Sequence, residues 1–374
     1  MAERRVNLMV LTSSLCIGGA EAVIQSLCRN LCASRFNVLV CCLKERGEIG
    51  EDLQRSGFDV LEVPKPRRAK IDYFTSLKVA GILSRHKVDI IHSHTTHALS
   101  DSAICTLLRP GTKLVHTFHF GNYPHDKKSR MMLERASWRF SDKLVAVGEA
   151  QRKSIQGAYG IPDNRIVTIR NGIDMRERPG DPDFRKRHGL GGKVVIGSVG
   201  TLYEQKGFTY LLDVALRLKG SSRDFVFIVA GEGPLRKELE SKARGLGLQE
   251  NVRFLGWVKD ADANLLPHVD IFFQPSLWEA MSVVVLEAMG AARLVVATSV
   301  GENPYIIEDG RDGFLVAPRD VDAMASKLAM LIEDGPLRER VGGCAAAKIK
   351  ARFGARQMAA AYEELFEKVL TGRG

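Results

Sequence analysis

Short, continuous apolar runs alternate with amphipathic segments from end to end of the chain. In the first half, VNLMVL from Val6, NVLVCCL from Asn37, VDIIHS from Val88, KLVHTF from Lys113 and KLVAV from Lys143 have the length and β-branched content of buried strands. In the second half, VVIGSVG from Val194, DFVFIVAG from Asp224, VRFLGW from Val252, VDIFFQPS from Val269 and RLVVATS from Arg293 repeat the pattern. Helix-periodic segments lie between them, AEAVIQSLCRNL from Ala20 for one. Strands that are apolar on both faces belong to sheets covered on both sides, and intervening helices join such strands in parallel. The pattern therefore predicts an α/β protein with two Rossmann-like, doubly wound parallel-sheet domains. A seam falls at residues 171–192, NGIDMRERPGDPDFRKRHGLGG, which is polar and rich in glycine and proline. The predicted domains are residues 1–170 and 171–354.

A length of 374 residues exceeds the usual size of one core and agrees with two domains. No apolar run approaches the roughly 20 residues of a membrane span. The first strand begins almost at once, so no signal peptide and a cytoplasmic location are expected. The seven cysteines (Cys16, Cys28, Cys32, Cys41, Cys42, Cys105, Cys344) are odd in number and form no CxxC pair or Cys/His metal spacing, which points to reduced thiols. The net charge of +10 fits an anionic partner: a nucleotide diphosphate, an acidic membrane surface or nucleic acid. Charge alone does not choose among them. The basic residues are dispersed through both halves without the aromatic interleaving of single-strand binders, so nucleic acid is not expected.

In doubly wound sheets ligands sit at the carboxyl ends of strands. After the first strand, TSSLCIGGAE leads into a helix, and Gly18 and Gly19 would let backbone amides approach an anion at its N-terminus. The alternative is a tight turn that binds nothing. No Walker A GK[ST] follows and GxGxxG is absent, which weakens a nicotinamide reading. In the second half GTLYEQKGF places Lys206 just before a helix. A solvated lysine is the plain alternative, but a cation there opposes the helix dipole unless an anion lies between them. Two such turns suggest a diphosphate.

The segment SLWEAMSVVVLEAMG, residues 276–290, carries Glu279 and Glu287 among apolar residues. Ser282 is expected to cap a helix running to Met289, with Gly290 ending it. Glu279 then precedes the helix and Glu287 lies inside it. An offset of eight residues turns about 80°, so the two share no helical face. Dipole compensation and a solvated face are the alternatives for the pair. A carboxylate is also a natural acceptor for vicinal hydroxyls, and cations for a diphosphate with acids for hydroxyls describe a sugar nucleotide.

These motifs resemble those of family-4 retaining glycosyltransferases of the GT-B fold. GGAE, HTFH at residues 116–119, RNGID at 170–174, GTLYEQKGF, AGEGPLRKELE, VRFLGWV, VDIFFQPS, the E-x7-E segment and EDGRDGFLV occur in the family's order and spacing over nearly the whole chain. The resemblance implies that the first domain holds the acceptor and the second a nucleoside-diphosphate sugar, UDP- or GDP-linked. A final helix at residues 355–370 would cross back onto the first domain. Hexose transfer would proceed with retention to an acceptor hydroxyl, in glycan, glycolipid or polysaccharide synthesis, without metal or cofactor. By the same resemblance Glu279, followed by Ala280, Met281 and Ser282, lies near the donor sugar, and Glu287 holds the ribose. Lys206 faces the diphosphate, Gly18 and Gly19 complete its cradle, backbone near Val258 meets the base, and His119 bonds the sugar. Lys206, Glu279 and His119 are thus the expected catalytic group. His92 and His94 end the preceding strand and are candidates to line an acceptor pocket. Departures from the family pattern are Thr201 where an arginine is usual, Ala280 and Ser282 where glycines are usual, and Gly301-Glu302-Asn303-Pro304-Tyr305 in place of GG-x-PE. The titratable positions remain, so the chain reads as a divergent subgroup. A sugar-nucleotide epimerase or hydrolase, or a non-catalytic protein binding anionic surfaces, is the alternative.

The histidines of HSHTTH and HTFHFGNYPH have no carboxylate or cysteine partners at metal-site spacing. The three DxD sequences, at Asp181, Asp260 and Asp320, fall where helix caps are expected. Two basic, aromatic segments, KPRRAKIDYF (65–74) and KKSRMMLERASWRFSDK (127–143), either pack on a sheet or rest on an anionic membrane. In the second case Trp138, Phe140 or Met131 would insert.

Overall fold

The computed structural model describes residues 4–64, 72, 74–124, 127–175, 181–220 and 224–372. It divides into two compact units, Met1–Gly172 with Ala355–Gly374, and Ile173–Gly354. No helix among the described residues is long and apolar enough to cross a membrane.

The first unit is a seven-stranded parallel sheet in the order β3-β2-β1-β4-β5-β6-β7. Its strands are β1 (Val6–Ser14), β2 (Phe36–Glu45), β3 (Asp59–Glu62), β4 (Ile90–Ser93), β5 (Lys113–Phe118), β6 (Lys143–Ala146) and β7 (Ile166–Thr168). The helices between them are α1 (Gly19–Asn30), α2 (Gly47–Arg55), α3 (Thr75–Arg85), α4 (Thr96–Leu108), α5 (Lys128–Ser137) and α6 (Glu149–Tyr159). Central β1 pairs with β2 and β4 at once, Val10 standing opposite Val40 and His92. Its residues Met9 and Leu11 share a core with Cys41, Ile91 and the inner faces of α3 and α4. Burial pushes the Cys41 and Cys105 thiols up to about 12, which keeps them as protonated core side chains.

The second unit is a six-stranded parallel sheet ordered β10-β9-β8-β11-β12-β13. Here β8 is Val194–Val199, β9 Phe225–Ala230, β10 Val252–Gly256, β11 Ile271–Gln274, β12 Leu294–Thr298 and β13 Phe314–Val316. Its helices are α7 (Phe184–Arg187), α8 (Phe208–Leu218), α9 (Arg236–Gly245), α10 (Ala261–Asn264), α11 (Val283–Gly290), α12 (Asn303–Ile306), α13 (Val321–Glu333) and α14 (Gly335–Arg352). Ile196, Phe227, Phe273 and Val296 face α8 and α13 across the main core. The chain then ends in α15 (Ala355–Thr371), which packs on α1 of the first unit. Glu363 of this helix pairs with Arg35 at 2.7 Å, and Phe366 sets its ring edge-on to Phe36 at 5.9 Å.

Packing bears on two local readings of the sequence. Trp138 is buried beside Phe118, Leu144 and Tyr159, and Met131 packs on the same cluster, so neither is available to a membrane. Phe140 remains 44% exposed. Most of the other basic segment, residues 65–71 and 73, lies outside the described residues. Of the DxD aspartates only Asp320 caps with its side chain, accepting from the Ala323 amide at 2.9 Å. Asp183 and Asp260 stand at helix starts without a side-chain cap bond.

Candidate functional site

In each sheet the chain order reverses beside the strand that comes first in the unit's sequence, and the loops leaving the two strands there diverge. In the second unit that point lies between β8 and β11. Gly207, at the end of the β8 turn, has φ +66°, and a Cβ there would overlap the carbonyl oxygen of Pro275 in the β11 turn. Only glycine combines this left-handed backbone with so close an approach. The turns are further joined by Leu277 N–H donating to Gln205 O at 2.7 Å and Gln205 Nε2 to Trp278 O at 3.1 Å.

This contact sets Lys206 against Glu279. The Lys206 Nζ donates to Glu279 Oε1 at 2.6 Å, with the two side chains 18% and 6% exposed. Ser276 Oγ donates to the same oxygen at 2.8 Å, while Oε2 receives only a long 3.4 Å bond from Gln205. In the structure the Lys206 ammonium is paired with the Glu279 carboxylate. An ion this buried would otherwise lose several kcal/mol of hydration. The second oxygen keeps most of its accepting capacity.

A buried network of neutral polar groups supports the pair. Gln274 Nε2 donates to Ser282 Oγ at 2.6 Å, and Ser282 in turn accepts from the Val285 amide, capping α11. Asn303 Nδ2 donates to Gln274 Oε1 at 3.0 Å and to Thr298 O at 2.9 Å; Thr298 Oγ1 donates to Ser276 O at 2.6 Å. Gly301, φ +54°, lies so near the Glu279 carbonyl that a Cβ would overlap it. Ala280 and Met281 are buried with Ser282. Glu287 lies inside α11 on its half-exposed stripe with Val283 and Gly290, and Val258 is half-buried just past β10. Gln205, Gln274, Ser276 and Thr298 were not singled out in the sequence, and Asn303 was named only within the departure at residues 301–305. The available signal was a polar residue closing an apolar strand, as in IFFQ and LVVAT.

The first unit gathers its candidates in the same way at the β1/β4 reversal. Gly18 is the extended N-cap of α1, and the space around Gly19 is open. Glu21 stands in the first turn of that helix, where a carboxylate complements the dipole; burial raises its pKa. His94 Nδ1 and His119 Nε2 share one hydrogen bond at 2.9 Å. Next to them, the His92 ring lies tilted, its centroid 4.0 Å from that of His94, and bonds Thr117 Oγ1 at 2.8 Å, which meets Tyr362 OH of α15 at 3.0 Å. His92 has no exposed surface, because Tyr362 and Phe366 cover its ring at 4.9 and 5.3 Å. The geometry therefore removes it from the ligand-facing candidates. Burial lowers the pKa of every one of these imidazoles: His116 to about 4, His119 to about 3, and His92 and His94 well below the ordinary value. A shared His94–His119 bond needs one nitrogen donating and one accepting, so at least the accepting ring is neutral. Among the described residues no three His, Cys, Asp or Glu side chains are arranged to hold a metal ion.

Comparison with known proteins gives the family. Residues 17–177 match the profile "Glycosyltransferase Family 4", and residues 193–334 match "Glycosyl transferases group 1". Alpha-D-kanosaminyltransferase of Streptomyces kanamyceticus is 31% identical over 242 residues, 62% of this chain and 63% of that protein. UDP-Gal:alpha-D-GlcNAc-diphosphoundecaprenol alpha-1,3-galactosyltransferase of Escherichia coli is 25% identical over 328 residues, 83% of this chain and 84% of that protein. The crystal structure of Anabaena HepE in complex with UDP and glucose superposes with a TM-score of 0.87 at 23% identity, covering 97% of this chain and 100% of that one. With its two parallel-sheet units, the chain belongs to the family-4, group 1 glycosyltransferases of the GT-B fold.

Proposed function

We propose that the protein transfers a hexose-type sugar from a UDP-sugar to an acceptor hydroxyl with retention of configuration, without a metal. The observation that carries this reading is the Lys206–Glu279 pair at the strand reversal of the second unit. Its ammonium is held where a diphosphate can share it, and the freer carboxylate oxygen can accept a sugar hydroxyl. Preorganised charge at that position stabilises a departing diphosphate in a dry site. Glu287 is assigned to the ribose and Val258 to the base. Gly18 and Gly19 are assigned to the phosphates. His119, its ring oriented by His94, is assigned a hydrogen bond to the sugar. No side chain at Glu279 is placed as a covalent nucleophile in this reading. The acceptor oxygen bonds C1 on the face from which the diphosphate leaves, and the acceptor proton passes to a diphosphate oxygen.

UDP is preferred over GDP because the Anabaena structure holds UDP and the Escherichia coli relative is named for a UDP-sugar. That relative's diphosphoundecaprenol acceptor supports a lipid-linked glycan as the acceptor class and work at a membrane surface. The test is thermal stabilisation by UDP-, GDP- and ADP-sugars, followed by donor turnover with and without added glycan-lipid. A native-state ligand raises the melting point, so UDP-sugars should do so and Lys206→Ala should abolish the effect. Donor consumption that ignores the acceptor would assign a hydrolase or epimerase instead.

A further inference from the structure

Glu279 sits in the loop of residues 275–281, between Gln274, which ends β11, and Ser282, which caps α11. One side chain ties both ends of that loop. Gln274 Nε2 donates to Ser282 Oγ at 2.6 Å and makes a longer approach, 3.5 Å, to Glu279 Oε1. Gln274 Oε1 accepts from Asn303 Nδ2, which also donates to Thr298 O at the end of β12. Thr298 Oγ1 returns to the loop at Ser276 O, and Ser276 Oγ donates to Glu279 Oε1 at 2.8 Å. The bonds run in a closed ring from Glu279 through Ser276, Thr298, Asn303 and Gln274 back to Glu279. Every member is at most 6% exposed, and Glu279 is the only ion among them.

The ring treats the two carboxylate oxygens differently. Oε1 receives Ser276 and Gln274 from the ring and Lys206 from the β8 turn, whereas Oε2 receives only Gln205 at 3.4 Å. Turning the carboxylate would break the first set of bonds, so its orientation is fixed with Oε2 as the oxygen left to accept. Lys206 brings the one positive charge among these donors, and it reaches Glu279 from outside the ring. We propose that Ser276, itself held by Thr298, is a positioning residue for the donor sugar. It keeps the Glu279 carboxylate aimed while the Lys206 ammonium turns to a diphosphate, so sugar and diphosphate are read by separate groups. A hydrogen bond to an ion is stronger than one between neutral groups, and an acceptor aimed in advance loses nothing to reorientation when the ligand arrives. The proposal rests on the assignment of Glu279 to the donor sugar.

The experiment is calorimetric titration of the full chain with UDP and with UDP-glucose, in the wild type and in Ser276→Ala, Thr298→Val and Glu279→Gln. UDP carries the diphosphate without the sugar, so a change in the ratio of the two affinities between variants reads recognition of the sugar. Ser276→Ala is expected to weaken UDP-glucose about tenfold relative to UDP, as Glu279→Gln does, and to leave UDP within about twofold of the wild type. Thr298→Val is nearly isosteric and does not touch the carboxylate; it should move the ratio the same way by about threefold. Should Ser276→Ala fail to fold, Thr298→Val decides alone. A hydroxyl that served only the fold would lower the melting temperature and both affinities together, and that outcome overturns the proposal. So does an unchanged ratio in Ser276→Ala beside a changed one in Glu279→Gln, which leaves the donor reading intact. An unchanged ratio in Glu279→Gln overturns the reading of Glu279 itself, and the proposal with it.

Discussion

Lys206 and Glu279 are partners in a charge pair that is nearly sealed from water, and each is the other's counter-ion. Removing one leaves an unpaired ion, whereas removing both leaves an apolar gap of similar shape, and the two losses differ in kind. Lys206→Ala is expected to lower donor kcat/KM by about 100- to 1000-fold, the usual loss when a leaving-group donor is deleted. It should also lower the melting temperature. Lys206→Met combined with Glu279→Met should restore most of that melting temperature and none of the activity. A double variant that regains turnover would make the pair merely structural. The buried histidines make a second prediction at this scale. Their pKa values lie below that of an unfolded imidazole, so the unfolded chain binds more protons as the solution acidifies. Their contribution to stability is then present above the unfolded imidazole value of about 6.5 and is lost as pH falls below it, through about 4 for His116. Melting curves across that window check it. His116→Gln should flatten the slope, and a slope that is the same in wild type and variant would contradict the assignment.

At the scale of elements, the site is a product of turns. The backbone at Gly207 is left-handed and touches the β11 turn, so Gly207→Ala must open the contact that holds Lys206 against Glu279. Left-handed strain alone costs about 1–2 kcal/mol, and the overlap with Pro275 adds to it. The expected result is a lower melting point together with a weaker response to UDP-sugars, measured by thermal shift. Ser282→Ala removes the cap of α11, about 1 kcal/mol, and also leaves Gln274 Nε2 without its closest acceptor. Its destabilisation should therefore exceed that of an ordinary exposed cap. Ser282→Gly, which restores the family's usual residue, should share the second loss and little of the first.

At the scale of the whole molecule, the two sheets repeat one strand order, three strands one way from the centre and the rest the other, and each has its candidate residues at the reversal. The last helix belongs by packing to the unit where the chain began. Deleting residues 355–374 removes the Tyr362 and Phe366 rings and so uncovers His92 and Phe36. The truncated chain is expected to lose soluble expression or the cooperative melting of its first unit, seen by scanning calorimetry.

Buried strand interiors were legible in the sequence because a run apolar on both faces has few other homes. VNLMVL, KLVHTF and DFVFIVAG lie in β1, β5 and β9. The edge strands β3, β7 and β13 were not, since each has only three or four residues and a single neighbour, too little pattern to register. The sequence marked Lys206, Glu279 and His119 one by one, the first two in loops just before helices and the third at the end of a strand. What it left undecided was who meets whom. Lys206 finds Glu279 across 73 residues, and His94 finds His119 across 25, only because parallel strands bring distant loops to one edge of a sheet. The fate of Trp138 was settled likewise, by the cluster that closed over it rather than by its basic neighbours. Local pattern sets which residues are buried and where turns fall; electrostatic partners and exposed faces depend on through-space distances, which exist only once the sheets are assembled.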